Sequence, residues 1–373
     1  MHVNAPFRPA WWCRNPHLQT ILFNSLLPRP RIDLRRERLE LPDGDFVDLD
    51  WTPGTTGPIV VLLHGLQGSS DAYYARALMR AVDRAGWRGV VLHFRGCSGV
   101  PNRLPRTYHS GETGDFNYLV GRLRERERVT PLAAVGVSLG ANVLLKWLGE
   151  QGRSAPLTAA VGISPPFLLN CVADRLNSGF SKLYQWHLTR ALRNAFKQKR
   201  FAVDVPLGIQ RLPQFMSARE FDTYVTAPLH GFRDAEHYYA ATSCRQYLKG
   251  IAVPTLLIHS RDDPFMVPDA IPGPQELADS ITLELCRHGG HVGFVSGNWP
   301  WRARCYLEER VPGYLSTYLS HARVVPEHTK VRARRLEPET TAKESPEKRP
   351  GTHSIRVVPG SKTTSRQRGA PLP

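Results

Sequence analysis

The stretch LAAVGVSLGANVLLKW, from Leu132 to Trp147, decides the fold. The residues before Ser138 are apolar and predict a buried strand, and the residues after Gly140 have the composition of a helix. Between them stands the pentapeptide GVSLG, which fits the pattern G-x-S-x-G. In a strand-to-helix turn the small flanking residues let the chain bend sharply, so that the serine hydroxyl is exposed where the helix N-terminus favours negative charge. An ordinary tight turn is the alternative, but this context favours Ser138 as a nucleophile.

Strand-like and helix-like segments alternate on both sides of this turn. Runs rich in Val, Ile and Leu predict buried strands, amphipathic segments between them predict helices, and Pro-Asp-Gly-Asp upstream predicts a β-hairpin. The predicted strands are Arg36–Leu41, Phe46–Trp51, Ile59–His64, Gly89–Phe94, Leu132–Val137, Ala159–Ile163, Thr255–His259 and Ile281–Cys286, and the predicted helices are Asp71–Ala85, Thr113–Glu127 and Gly140–Glu150. This pattern predicts an α/β fold with a mostly parallel sheet flanked by helices.

A serine hydroxyl needs a general base, and the base needs an acid to orient it. The sequence RHGGH (287–291) follows the last predicted strand, and its glycines suit a loop that presents His291 as the base, with His288 as a surface or structural histidine. Asp262 and Asp263 follow the strand before it, and the strand-end position allows either one as the acid. The chain order Ser, Asp, His is the one found in α/β-hydrolases.

The same chemistry requires two backbone N–H groups that bind a developing oxyanion. One comes from the residue after the nucleophile, here Leu139. The other comes from the loop after an early strand, where His64-Gly65-Leu66-Gln67-Gly68 stands. Leu139 and Leu66 are therefore the predicted oxyanion donors.

At this point the chain resembles a known family within the α/β-hydrolase superfamily. This is the AB hydrolase 4 family, which contains the bacterial YheT-type proteins and their eukaryotic abhydrolase-domain relatives. The resemblance covers about residues 7–320 and is carried by the stretches WWCRNPHLQT (11–20), HGLQGSS (64–70), HFRGCSG (93–99), YHSGETGD (108–115), GVSLGAN (136–142), DDPF (262–265) and HGGHVGF (288–294). It implies an α/β-hydrolase fold, a triad of Ser138, Asp263 and His291, and an esterase or acylglycerol lipase activity. Between the two aspartates the resemblance favours Asp263.

Two segments lie outside the alternation of strands and helices. The first, about 167–235, has a helix-like composition and many aromatic residues, and predicts a helical cap inserted into a hydrolase domain that spans 31–320. The second is the N-terminal segment 1–30, whose aromatic residues, including Trp11 and Trp12, are expected to pack on the core. We expect the cap and the Trp11/Trp12 segment to form an apolar acyl pocket for short- to medium-chain esters or monoacylglycerols.

Smaller polar motifs have plainer interpretations. Glu112, Thr113 and Asp115 precede or begin a predicted helix, where they are expected to act as helix caps. Cys97 has no neighbouring base in the sequence and is interpreted as a small packing residue.

The net charge of +16 is the unusual feature of the composition. Residues 321–373 hold 12 Lys or Arg and 5 Asp or Glu, and no Phe, Trp or Tyr. Such a segment cannot bury a core and is predicted to be a disordered basic tail. Weak contact of this tail with an anionic membrane surface is an open alternative, as is a basic protein that binds nucleic acid or membrane instead of catalysing a reaction.

The remaining sequence signals are absences. The chain has no P-loop or dinucleotide fingerprint and no metal-spaced Cys/His cluster, so no cofactor and no metal are expected. Its six cysteines are scattered, and no signal peptide or membrane span is evident, so a cytoplasmic location is expected. The leading hypothesis is a serine hydrolase of small-molecule carboxylic esters, and an acyltransferase or thioesterase with the same triad is the alternative. The sequence does not address the oligomeric state.

Overall fold

A computed structural model describes residues 2–4, 6–22, 27–202 and 216–320. The described strands are β1 (His2–Asn4), β2 (Arg35–Glu40), β3 (Phe46–Trp51), β4 (Ile59–Leu63), β5 (Arg88–Leu92), β6 (Leu132–Val137), β7 (Ala159–Ile163), β8 (Thr255–Ser260), β9 (Ile281–Cys286), β10 (Val295–Ser296) and β11 (Arg304–Cys305). The described helices are α1 (Pro16–Ile21), α2 (Tyr73–Arg84), α3 (Gly114–Arg126), α4 (Leu139–Gln151), α5 (Leu169–Leu176), α6 (Ser181–Ala202), α7 (Ala218–Phe221), α8 (Ala227–Leu229), α9 (Ala235–Thr242) and α10 (Leu307–Leu319).

Nine of these strands form one sheet, in the order β1-β9-β8-β7-β6-β4-β5-β3-β2. Only β3 runs antiparallel to its neighbours, β2 and β5, and every other described pair in the sheet is parallel. β6, which leads to Ser138, lies between β4 and β7 near the middle of the sheet. The carboxyl ends of the parallel strands therefore meet around Ser138, which is where α/β sheets place their sites.

Helices cover both faces of the sheet. On β4, Ile59, Val61 and Leu63 belong to one hydrophobic cluster with the buried residues of α3 and α4, whereas Val60 and Leu62 belong to a second cluster with those of α2 and α10. Because successive side chains of a strand point to opposite faces, this division assigns one helical layer to each face. The predicted α/β-hydrolase class, with its mostly parallel sheet, is confirmed.

The long insertion forms a helical cap between β7 and β8. It contains α5 to α9, with a π-helical turn, Asp222–Thr226, between α7 and α8. The structure extends the predicted cap past residue 235, because α9 continues to Thr242. Residues 203–215, which belong to the predicted cap, and the predicted tail 321–373 lie outside the described residues.

In the part of the chain that the structure describes, no helix is long and apolar enough to cross a bilayer.

Candidate active site

Ser138 lies in the sharp turn between β6 and α4. Its backbone has φ +52° and ψ −118°, a conformation that residues other than glycine rarely adopt and that costs about 1–3 kcal/mol. A Cβ atom on Gly140 would overlap the Leu63 and His64 carbonyl oxygens at the end of β4, and one on Gly136 would overlap the first turn of α4. The flanking glycines are therefore required by close approach of the backbone, and the turn presents the Ser138 hydroxyl at the start of α4.

Ser138, His291 and Asp263 are joined by hydrogen bonds. His291 Nε2 is 2.9 Å from Ser138 Oγ, and His291 Nδ1 is 2.8 Å from Asp263 Oδ2. The Asp263 side chain is fully buried, and its Oδ1 accepts a 2.8 Å hydrogen bond from the Phe265 N–H. With Nδ1–H donated to this carboxylate, Nε2 is left to accept the serine proton.

Two contacts fix the position of the His291 ring. The Phe265 ring stacks on the imidazole with 4.1 Å between the ring centroids. The His291 backbone N–H donates a 2.9 Å hydrogen bond to Thr20 Oγ1 on α1. The ring plane and the backbone of His291 are thus held by residues from two distant parts of the chain.

The other acid candidate, Asp262, has different partners. Its Oδ1 accepts a 3.0 Å hydrogen bond from the Gly290 N–H, and its Oδ2 is 3.1 Å from His288 Nδ1. The structure therefore places Asp263 at His291 and Asp262 at the backbone of the loop that carries His291. His288 is the structural histidine of this loop.

The loop that carries Leu66 is held by two tyrosines, the partly buried Tyr74 and the buried Tyr108. The Gly65 N–H donates to Tyr74 Oη at 2.8 Å, and the Gln67 N–H donates to Tyr108 Oη, also at 2.8 Å. Between them, the Leu66 N–H has no hydrogen-bond partner among the described residues. An oxyanion donor must be an N–H that can still donate a hydrogen bond. The Leu66 N–H meets this requirement, whereas the N–H groups of Gly65 and Gln67 already donate to the tyrosines.

Leu139, the second predicted oxyanion donor, begins α4 directly after Ser138. Its N–H likewise has no partner in the described part of the chain. The Leu66 loop is close to it, since a Cβ on Gly65 would lie 3.4 Å from the Ser138 Cβ. Both predicted donors therefore lie on segments adjacent to Ser138.

His64, which begins the same motif, has a structural role. Its Nδ1–H donates to the Gly65 carbonyl at 2.7 Å, and its Nε2 accepts a 3.1 Å hydrogen bond from the Phe94 N–H. Burial lowers the pKa of His64 to about 3, so the ring is neutral and can accept on one nitrogen while it donates from the other. His64 thus braces the Leu66 loop against the end of β5.

The polar residues that were expected to cap α3 mostly do something else. The Asp115 carboxylate binds the buried Arg95 guanidinium through two hydrogen bonds of 2.6 and 2.7 Å. Thr113 makes no capping hydrogen bond at the start of α3 and donates instead to Glu150 at 3.0 Å. Glu112 accepts the Gly114 N–H at 3.0 Å, so only this part of the capping prediction agrees with the structure. Cys97 lies against Tyr108, and burial raises its thiol pKa to about 12, which suits the predicted packing role.

A cavity of about 600 Å³ adjoins the site. Its core side includes Ser138, His291, Leu66 and Leu139. Its cap side is largely apolar and includes Leu169, Val172, Leu176, Leu192, Phe196 and Phe221. The volume lies within the usual range for small-molecule sites, about 300–1,000 Å³.

The predicted contribution of Trp11 and Trp12 to this pocket is wrong. Neither residue lines the cavity, and Trp11 is 62% exposed. From the N-terminal segment, Thr20 and Ile21 line it instead. The indole N–H groups of the two tryptophans donate to backbone carbonyls of the turn between β10 and β11. Trp11 stays exposed there, whereas Trp12 packs against a buried core cluster.

Asp222 is a partly buried carboxylate in the cap wall of the cavity. Thr226 Oγ1 donates to its Oδ1 and Tyr239 Oη donates to its Oδ2, each at 2.7 Å. Burial raises the pKa of Asp222 to about 6. The wall therefore contains one acidic group that exchanges a proton near neutral pH. No local sequence pattern indicates this group, because Asp222 and Tyr239 meet only in the folded cap.

The comparisons with known proteins agree with this fold. Residues 58–297 match the α/β hydrolase fold family, and the chain belongs to that family. It is 42% identical to YheT of Escherichia coli strain K12 over 322 residues, which cover 85% of this chain and 94% of that protein. It is 29% identical to the mouse protein named Phospholipase ABHD3 over 330 residues, or 86% of this chain and 80% of the relative.

A third relative and a solved structure extend the comparison. The Saccharomyces cerevisiae protein named Medium-chain fatty acid ethyl ester synthase/esterase 2 is 33% identical over 279 residues, which cover 67% of this chain and 61% of that protein. The structure of the Pyrococcus furiosus esterase Pf2001 aligns with a TM-score of 0.51 at 18% identity, over 78% of this chain and 96% of that one. At that identity the structure supports the fold alone. The family and the related sequences establish a hydrolase of the esterase or lipase type.

Proposed function

We propose that the protein is a serine hydrolase that cleaves small carboxylic esters through Ser138, His291 and Asp263. The observation that carries this proposal is the hydrogen-bonded line of these three side chains, with 2.9 Å from Ser138 Oγ to His291 Nε2 and 2.8 Å from His291 Nδ1 to Asp263 Oδ2. These distances lie within the hydrogen-bond reach that a nucleophile and its base require.

In the acylation step, Ser138 Oγ attacks the ester carbonyl carbon while His291 Nε2 takes the hydroxyl proton. Asp263 stabilises the imidazolium that forms, and the amides of Leu66 and Leu139 donate hydrogen bonds to the carbonyl oxygen as it becomes negative. The tetrahedral intermediate then collapses, the carbon–oxygen bond to the alcohol breaks, and His291 returns the proton to the alcohol. The product of this step is an acyl ester of Ser138.

In the deacylation step, water takes the place that Ser138 had in the acylation step. His291 removes a proton from the water, whose oxygen attacks the acyl carbon, and the bond to Ser138 Oγ breaks with return of the proton to the serine. An alcohol or thiol that replaces water would give acyl transfer with the same residues. One relative carries both synthase and esterase in its name, so transfer to an alcohol is the second candidate. Measuring acid and ester products with ethanol present separates the two reactions.

The proposed substrates are short- to medium-chain acyl esters and monoacylglycerols. Support comes from the apolar cap wall and from the cavity volume of about 600 Å³ beside Ser138. A pocket of that kind favours an acyl chain over a charged group by burying its apolar surface. Comparing kcat/KM for p-nitrophenyl esters of increasing chain length tests this part of the proposal.

The test of the nucleophile uses two serine variants. Ser138→Ala should lower kcat for p-nitrophenyl butyrate by about 10⁶, or to background, because loss of the nucleophile disables the whole catalytic unit. Ser69 also lines the cavity, but its hydroxyl accepts the Asp71 N–H and has no histidine partner in the part of the chain that the structure describes. Ser69→Ala should therefore keep most of the activity.

Labelling with a fluorophosphonate probe, followed by mapping of the modified residue, tests the same assignment without assuming a substrate. Label on Ser138 in the wild type, and none in Ser138→Ala, is the expected result. Wild-type turnover by Ser138→Ala, or label on another serine, would overturn the proposal.

We also propose a reducing compartment such as the cytoplasm. All six cysteines carry free thiols in the structure, as is usual for cytoplasmic proteins. Fractionation of the native host with detection of the protein tests this location.

A further inference from the structure

Three tryptophans form an exposed group on one surface, which we call the tryptophan patch: Trp11, Trp299 and Trp301. They are 62%, 50% and 76% exposed. Trp299 and Trp301 stack with 5.3 Å between ring centroids in the turn between β10 and β11. Trp11 joins them through its indole N–H, which donates a 2.9 Å hydrogen bond to the Asn298 carbonyl. By contrast, Trp51, Trp87 and Trp147 are buried.

The patch is held in shape by the backbone beneath it. The Arg302 N–H donates to the Trp299 carbonyl at 2.9 Å, and the Trp12 indole N–H donates to the Gly297 carbonyl at 3.2 Å. Below the turn, Phe7 packs on Phe294 in the buried core. The turn is therefore tied to the N-terminal segment, and its aromatic rings project from a supported surface.

The surroundings of the patch are positively charged. Arg8, Arg14, Arg302 and Arg304 are exposed, and none of them forms an ion pair with a described residue. Residues 1–32 and 287–307 contain no Asp or Glu. Some exposed arginines elsewhere have acidic partners, as Arg103 has Glu40. The charge at the patch thus has no acidic partner among residues 2–4, 6–22, 27–202 and 216–320.

We propose that the tryptophan patch docks the protein onto an anionic lipid bilayer. Tryptophan favours the membrane interface, where its apolar ring enters the headgroup boundary while the N–H keeps a polar partner. Unpaired arginines around it add attraction to anionic headgroups, about 1 kcal/mol or about fivefold in affinity for each cation near the surface. A bilayer satisfies both features at once, whereas a neutral apolar protein surface would leave the arginines unpaired.

The patch lies on the two segments that also reach the catalytic cavity. The N-terminal segment continues from Trp11 to Thr20 and Ile21, and the turn with Trp299 follows directly on the loop with His291 and Val292; all four of these residues line the cavity. Short stretches of these two segments therefore connect the patch to the wall of the cavity. The inference does not depend on the proposed reaction, because binding is measured without turnover.

The test measures sedimentation of the full chain with sucrose-loaded vesicles of phosphatidylcholine, with and without phosphatidylglycerol. The wild type should bind the anionic vesicles and release them as salt increases. The double variant Trp299→Ala/Trp301→Ala should bind about tenfold or more weakly, since it loses most of the apolar surface of the patch. Arg302→Glu/Arg304→Glu should bind at least about tenfold more weakly, because each substitution reverses a charge.

The matched control reverses two arginines elsewhere. Arg128 and Arg153 are exposed and stand before β6 and β7, at the end of the sheet opposite to Ser138. Arg128→Glu/Arg153→Glu makes the same change in net charge and should lower vesicle binding less than about threefold. Melting temperatures of all variants close to that of the wild type show that each one folds.

Three results would overturn the inference. The first is absence of wild-type binding to anionic vesicles. The second is equal loss of binding in the patch and control variants, which would mean that net charge alone causes binding. The third is a change of oligomeric state in Trp299→Ala/Trp301→Ala, measured by light scattering, without any change in vesicle binding, which would assign the patch to a protein contact. Since Ser138 labelling does not depend on vesicles, failure here is distinct from failure of the proposed reaction.

Discussion

Asp262 and Asp263 are adjacent in the chain, but their carboxylates have different hydrogen-bond partners. Asp263 accepts from His291 Nδ1, while Asp262 accepts from the backbone of the loop that carries His291. The position at the end of β8 alone allowed either aspartate as the acid partner of His291, because both residues follow that strand. Only the direction of each side chain separates them, and that direction depends on where the His291 loop packs.

The two aspartates should respond differently to the same substitution. Asp263→Asn should lower kcat by about 10³–10⁴, because an amide favours the wrong imidazole tautomer and cannot stabilise the imidazolium. Asp262→Asn should lower kcat by less than about tenfold and lower the melting temperature, because it weakens a backbone contact of the loop. Steady-state kinetics on p-nitrophenyl butyrate measure both, and a larger loss of kcat in Asp262→Asn would reverse the assignment.

The raised pKa of Asp222 predicts how the free energy of unfolding changes with pH. Burial raises its pKa from 3.8 to about 6, so between these values the folded state binds more protons than the unfolded state. The contribution of Asp222 to the free energy of unfolding therefore falls as pH rises through this range. Relative to Asp222→Asn, which stays neutral, the wild type should lose stability between about pH 4 and pH 7.

Denaturant unfolding at several pH values measures this difference. Asp279 is exposed, and Asp279→Asn serves as the control, with a difference from wild type that changes little with pH. A difference between wild type and Asp222→Asn that is constant or increases with pH would contradict the assigned shift.

Among the secondary-structure elements, the strands of the sheet could be predicted from local sequence patterns. Elements whose role depends on contacts between distant residues could not. The strands before Ser138 and around it were predictable because their buried residues form continuous apolar runs, as in β6. The role of α1 was not predictable. Its Gln19 binds Val295, and its Thr20 binds His291, across separations of 276 and 271 residues, which no local pattern records.

The short helix α1 is the element that ties the N-terminal segment to the His291 loop. Gln19 is fully buried; its Nε2 donates to the Cys13 and Val295 carbonyls at 2.6 and 3.2 Å, and its Oε1 accepts the Val295 N–H at 2.6 Å. Gln19→Leu keeps the volume but removes the partner of the Cys13 carbonyl and of the Val295 N–H, while the Val295 carbonyl still accepts the Ala10 N–H. We expect a loss of about 2–4 kcal/mol in the free energy of unfolding.

Chemical denaturation measures this loss, and Gln151→Leu is its control. Gln151 ends α4, is only half-buried and makes no side-chain hydrogen bond with a described residue. Its substitution should change stability by less than about 0.5 kcal/mol. Equal stability of the two variants would show that α1 does not anchor the loop.

Across the whole molecule, the positive charge is shared between two parts of the chain. These are the body, residues 1–320, which contains the candidate site, and the predicted tail, residues 321–373, which lies outside the described residues. Of the net +16, residues 321–373 contribute +7 and residues 1–320 contribute +9. Every residue that we assign to the catalytic site, the cavity wall and the tryptophan patch lies in the body. The total net charge therefore does not indicate which reaction the protein catalyses. It concerns instead which charged surfaces the protein binds.

Removal of residues 321–373 should separate these two contributions. We expect kcat/KM for p-nitrophenyl butyrate to stay within about twofold of the full chain, because no group of the proposed mechanism is lost. Binding to DNA in low salt should weaken and its salt dependence should become shallower, since fewer cations release counterions. Vesicle binding should persist, because the three tryptophans and their arginines remain. If the shortened chain instead loses both turnover and vesicle binding while it stays folded, the tail takes part in the site, and the division between a catalytic body and an accessory tail is wrong.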